Sequence, residues 1–115
     1  MTAYNRGAVV RGPDVFGGHS YRPWIVVSDE THPFGDEEGL FVAVTTTPRR
    51  VAIPLRDSDF RRGGLPRESY ANPWSVTTLQ HTDIAEAEGY LTAETTERIA
   101  GAAAGYLGVD TMRSE

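Results

Sequence analysis

The sequence predicts a mainly β fold: a small twisted barrel with one α-helix at its C-terminal end. Three observations carry that expectation. Short runs rich in β-branched and aromatic residues recur up to position 91, bounded by Gly, Pro, Asp or Asn. The apolar spacing turns helical only near the end. A chain of 115 residues can bury one core but hardly two, so one domain over 1–115 is expected.

The elements follow in order. "GAVVRG" (7–12) reads as a short opening strand, and "PDVFGGHSY" (13–21) as a loop. "PWIVVSDE" (23–30) is apolar on both faces at its centre and reads as a buried strand. After the acidic loop "THPFGDEEG" (31–39), "LFVAVTTT" (40–47) is a third strand, broken by Pro48. "RVAIPL" (50–55) alternates and can return antiparallel. Positions 56–73 read as one long polar connection with Gly-Gly and two prolines, followed by a strand at 74–79 and a brief one at 89–91. From Thr92, residues Ile99, Ala102, Ala103, Tyr106 and Leu107 step at helical spacing. Thr92 suits the N-cap, Glu94 the first turn, and Gly108 the stop. Gly101 and Gly105 weaken this helix by up to about 1 kcal/mol each, so it needs support from the sheet.

Composition narrows the class. Sixteen Asp and Glu oppose eleven basic residues, and every basic residue is arginine. An acidic, lysine-free surface fits a salt-loving cell, where a Debye length of about 3 Å at 1 M mutes carboxylate repulsion. Nucleotide-composition bias is the alternative source of the missing lysine. Cysteine is absent, which excludes disulfides and thiolate-held zinc. His19, His32 and His81 are dispersed, so no metal and no other cofactor is expected. There is no spanning-length apolar run and no signal-like N-terminus, so a cytoplasmic protein without a membrane partner is expected.

The chemistry gathers around arginine. Arg22 stands at the mouth of an apolar strand, held extended by Pro23. That position suits an ion pair with a nearby carboxylate, and it also suits an anion site. Thr45, Thr46 and Thr47 end another strand, and an arginine fork beside a threonine hydroxyl can cradle a phosphodiester. Arg49 and Arg50 follow directly, and Arg61, Arg62 and Arg67 sit in the long connection; together they could line a phosphate track. Tyr21, Trp24, Tyr70 and Trp74 are aromatic neighbours able to stack on unpaired bases or to pack the core.

The ordered set "RG-A-VV" (6–10), "RPWIVVSD" (22–29), "VAVTT" (42–46) and "GGLPRESY…PWSVTTL" (63–79), followed by a helix, resembles the MazF/PemK toxin family. The resemblance spans about residues 6 to 107. It implies an SH3-like barrel of the CcdB/MazF type and a homodimer. It also implies metal-independent cleavage of single-stranded RNA and inhibition by a cognate antitoxin protein. By this resemblance Arg22 and Thr45 match the catalytic arginine and threonine. Tyr21, Thr46, Thr47, Arg49, Arg50, Arg61, Arg62, Arg67 and His81 are the expected RNA-binding set, with His81 near the place of a later arginine. Two other outcomes stay open: a CcdB-type gyrase-binding module, and a degenerate member that only binds RNA or its antitoxin. Homodimerisation is also expected because Trp24 and Trp74 offer more apolar surface than a small barrel readily hides.

Overall fold

A computed structural model of the chain describes residues 3–109, so both ends of the expected 1–115 domain lie outside the described residues. In chain order the elements are β1 (Ala8–Pro13), β2 (Tyr21–Val26), β3 (Glu38–Thr45), β4 (Ile53–Leu55), β5 (Phe60–Gly63), β6 (Ser69–Gln80), β7 (Glu86–Leu91) and α1 (Ala93–Gly105). Single 3-10 turns at Asp57–Asp59 and His81–Asp83 precede β5 and β7. The strands form one antiparallel sheet in the order β4-β6-β3-β2-β1-β7-β5, curled into a nearly closed barrel. A mainly β fold with a C-terminal helix is therefore what the chain adopts.

Strand alternation divides the core in two. Val9, Ile25, Val42, Val44 and Ala71 meet Ile99 and Ala103 of α1 on one face. Val10, Trp24, Val26, Phe41, Ala43 and Leu79 pack on the other. Trp24 is completely buried, and its indole Nε1 donates to the Pro13 carbonyl at 3.0 Å. The expectation that Trp24 leaves apolar surface for a dimer is thus corrected.

The expected connection at 56–73 contains two pieces of sheet. Phe60–Gly63 pairs with β7, and β6 begins at Ser69 rather than at Trp74. Gly63 makes the first possible: its φ is +69°, and a Cβ there would stand 2.5 Å from the Glu88 carbonyl oxygen. In β6, Val76 faces Val42 while Asn72 faces Ala43, so Pro73, Trp74 and Ser75 form a bulge. A bulge is where a strand tolerates proline, whose missing N–H then breaks no ladder bond.

Thr92 caps α1 as expected, its hydroxyl accepting from the Thr95 amide at 3.1 Å. The helix ends at Gly105, and Gly108 lies beyond it with φ +86°. Ile99 and Ala103 are buried, whereas Tyr106 is 53% and Leu107 83% exposed. The last turn of the apolar stripe therefore faces outward, although Tyr106 still meets the Trp74 ring of β6 edge-on at 6.0 Å. No helix among the described residues is long and apolar enough to cross a membrane.

Candidate nucleic-acid interface

Sheet register assembles the site. Trp24 lies opposite Ala43. The β2–β3 ladder ends at that pair; extended by two residues in the same register, it puts Arg22 across from Thr45, and Arg22 Nη2 reaches the Val44 carbonyl at 3.0 Å. Thr45 in turn lies opposite Tyr70, and Tyr70 opposite Pro54. Residues directly opposite share a face, so Arg22, Thr45, Tyr70 and Pro54 form one row across β2, β3, β6 and β4. The row lies at the end of the sheet, on the face of Trp24 and Ala43.

The Arg22 guanidinium is held from three directions. Its Nη2 donates to the carbonyl of Val44 at 3.0 Å, which places the charge beside Thr45. Its Nη1 lies 3.5 Å from the Asp14 carboxylate. Phe16 covers its plane with the ring centroid 4.7 Å from Cζ, and the same ring stacks on Trp24 at 6.0 Å. The side chain is 19% exposed, and Nε has no hydrogen-bond partner among the described residues. Asn72, one register position from Tyr70 on the same face, likewise carries a buried Oδ1 without a partner.

Asp14 is chiefly a loop residue. Its carboxylate accepts the amides of Phe16 at 2.9 Å and His19 at 2.8 Å, folding residues 14–20 back over Arg22. The Phe16 amide is the largest influence holding its pKa below the ordinary value, opposed by burial and aided by the His19 amide, Arg22 and the Gly18 amide. The fork thus has the carboxylate partner expected of an ion pair, at a distance longer than a good charge-assisted bond.

Thr45 is half-buried at the end of β3, and its Oγ1 accepts the Thr47 amide at 3.1 Å. Accepting that bond leaves the hydroxyl hydrogen free to donate. Thr46 and Thr47 lie past the strand and are exposed. Arg49 and Arg50 continue on the exposed β3–β4 loop, Arg49 standing 5.7 Å from the Trp74 ring. Trp74 also meets Tyr106 edge-on at 6.0 Å. Val51 in this loop has φ +65°, rare for a β-branched residue and a local strain of about 1–3 kcal/mol.

Other expected contacts are dispersed. Tyr21 is half-exposed and carries Arg11 over its ring at 5.5 Å, on the face opposite Arg22. Arg61 and Arg62 flank Tyr90 at 5.2 and 4.5 Å on β5, near the opposite end of β1 from Gly12, the partner of Arg22. The structure thus divides the arginines into two patches in place of one track. Arg67 lies near Tyr70, along the lining of a cavity. His81, which the resemblance puts in the RNA-binding set, is 3% exposed; its Nδ1 accepts the Tyr4 amide at 3.2 Å and its Nε2 donates to the Gly35 carbonyl at 2.9 Å. That imidazole is occupied in joining the N-terminal segment to the 31–37 loop. The roles of Asp14, Phe16 and Asn72 had no sequence signal beyond loop chemistry and strand propensity.

A curled antiparallel sheet with a terminal helix, and an arginine near a threonine at one end of it, is the architecture to compare with solved structures. A mycobacterial endoribonuclease in complex with its cognate antitoxin is 28% identical to this chain, with a TM-score of 0.72 over 95% of this chain and 97% of that one. A second mycobacterial endoribonuclease is also 28% identical, with a TM-score of 0.74 and 95% of each chain covered. The Mycobacterium tuberculosis toxin MazF-mt6, at 20% identity, has a TM-score of 0.70 over 90% of this chain and 98% of that one. No protein-family model and no curated protein matches the sequence. In fold this chain is similar to MazF toxins, and in both fold and sequence it is similar to the two mycobacterial endoribonucleases.

Proposed function

We propose that this chain is an endoribonuclease toxin that cleaves single-stranded RNA without a metal ion and is inhibited by a cognate antitoxin. The observation that carries the reading is the placement of Arg22 beside Thr45 on one face at the end of the sheet. The 28% identity to two mycobacterial endoribonucleases across nearly the whole chain supports it.

The chemistry follows from RNA carrying its own nucleophile. Arg22 grips the non-bridging oxygens of the scissile phosphate and stabilises the charge that grows on them. Its always-charged fork offers two donors in one plane, which a lysine does not. The Thr45 hydroxyl donates to the same phosphate and fixes its orientation. The bond from the 2′-oxygen to phosphorus forms as the bond to the 5′-oxygen breaks. One proton leaves the 2′-hydroxyl and one arrives at the 5′-oxygen, giving a 2′,3′-cyclic phosphate and a 5′-hydroxyl. Alignment of a nucleophile in the same molecule supplies much of the acceleration. For RNA to reach Arg22, the 14–20 loop must yield Asp14 and Phe16 from the fork.

We further propose a cytoplasmic homodimer whose shared face includes the outward end of α1. Tyr106, Leu107, Val109 and Val76 are all exposed apolar residues, and Trp74 abuts Tyr106. The test of the site is a threonine series. Thr45→Ser keeps the hydroxyl and is expected to keep most cleavage of labelled single-stranded RNA, while Thr45→Ala loses about 10- to 100-fold. Equal rates for the two variants would remove Thr45 from the mechanism.

A further inference from the structure

Beyond the phosphate corner, the same row of side chains runs into a cavity. Tyr70 and Pro54 continue the line from Arg22 and Thr45, and both also line a cavity of about 480 Å³ between β4, the start of β5 and the 64–69 segment. That volume lies within the roughly 300–1,000 Å³ of small-ligand sites. Adjacent strands are about 4.8 Å apart, so the cavity opens about one strand from Thr45, a distance one nucleotide can bridge. Leu65, Pro66 and Pro54 provide apolar wall, and Tyr70 an aromatic face. Arg67 and Glu68 stand exposed along its lining, and Arg67 forms no ion pair among the described residues.

We propose that this cavity is a base-binding subsite that takes a guanine flanking the scissile phosphate. The inference rests on the ribonuclease reading above and deepens it. Tyr70 stacks on the base, as aromatic side chains do on unpaired bases. The two donors of Arg67 match the O6 and N7 acceptors of guanine, the commonest specific arginine–base contact. The Glu68 carboxylate accepts from the N–H groups on the opposite edge. Uracil separates its two carbonyls by the N3–H donor, and adenine offers a donor where guanine has O6. Cytosine does pair the N3 and O2 acceptors, but it lacks guanine's adjacent N1–H and N2–H donors for Glu68. Arg67 therefore acts as a specificity residue, in place of one more charge on a phosphate track.

The cavity and the cleavage reading can fail separately. Titrating the folded protein with guanosine, adenosine, cytidine and uridine 5′-monophosphates, read by NMR, examines the cavity alone. Guanylate is expected to shift the resonances of Leu65, Arg67, Glu68 and Tyr70, binding about tenfold more tightly than uridylate. Arg67→Ala is expected to erase the difference between nucleotides, and Pro66→Trp to block all four; both positions are exposed, so both variants should fold. Cleavage of a randomised RNA pool, read by sequencing product ends, then locates guanine at one fixed position beside the cut, with that preference flattened in Arg67→Ala. Equal shifts by all four nucleotides, no shifts at the cavity, or an unchanged base preference in Arg67→Ala would overturn the proposal. A wild-type protein that binds guanylate there but cuts no RNA would overturn the ribonuclease reading and leave the subsite standing.

Discussion

Arg22 shows how one side chain serves two partners. Its Nη2 is fixed by the Val44 carbonyl, a bond that aims the fork. Its Nη1 is shared with Asp14, whose own carboxylate is already satisfied by two backbone amides. On the proposed reading, a phosphate would displace a weak partner from the fork and leave the 14–20 turn with its amide bonds. Asp14→Asn removes the competing charge and keeps one of the two amide bonds, since the Phe16 and His19 amides bind different carboxylate oxygens. Tighter RNA binding at low salt is expected from it, measured by fluorescence anisotropy with an RNA whose 2′-hydroxyls are blocked. Unchanged or weaker binding would mean that Asp14 does not compete with the ligand.

At the scale of elements, Asp59 joins the 3-10 turn to the start of α1. Its carboxylate accepts the Arg56 amide at 2.8 Å and the Thr95 hydroxyl at 2.8 Å, with Arg98 at 3.4 Å, and its carbonyl accepts the Thr92 amide. Burial pushes its pKa up, but the Arg56 amide, the Thr95 hydroxyl and the two guanidiniums outweigh it and leave the net value below the ordinary one. A carboxylate so held stabilises the fold above its unfolded pKa of about 3.9, and that contribution disappears as pH falls through the lower folded value. Asp59→Ala is expected to cost about 1–3 kcal/mol near neutral pH. Its denaturant midpoint should then fall less steeply than the parent's below about pH 4.

The same scale shows what the sequence could reveal. β2 and β3 were legible because continuous apolar runs mark strands buried on both faces. α1 was legible from its period and its Thr92 cap. β5 was not, since "FRRG" has no alternating apolar pattern and owes its place to pairing with β7 across Gly63 and Gly89. The first half of β6 was hidden by Pro73, which reads as a break until the bulge is seen. Arg22 and Thr45 were each legible as candidates, but their adjacency belongs to the β2–β3 register, which no local pattern encodes. The burial of His81 was not legible, because it comes from two tertiary bonds that no local pattern encodes.

For the whole molecule, two expectations concern association and salt. Leu107→Asp places a charge on the exposed end of α1 and is expected to weaken the dimer at least tenfold by sedimentation equilibrium, while leaving the fold intact, because Leu107 is 83% exposed. An unaltered association constant would place the dimer face elsewhere. The net charge of −5 with no lysine predicts a melting temperature that rises between roughly 0.1 and 2 M KCl as carboxylate repulsion is screened. A flat response would leave nucleotide-composition bias as the source of the missing lysine.

The central claim is that the arginine at the mouth of β2 meets a phosphate during RNA cleavage. Its most direct test is to incubate folded wild-type and Arg22→Ala protein with labelled single-stranded RNA in EDTA and identify the product ends. The wild type is expected to leave a 2′,3′-cyclic phosphate and a 5′-hydroxyl, and the variant to cut nothing while its circular-dichroism spectrum stays that of a folded protein. A folded Arg22→Ala protein that cuts RNA at the parent rate would contradict it.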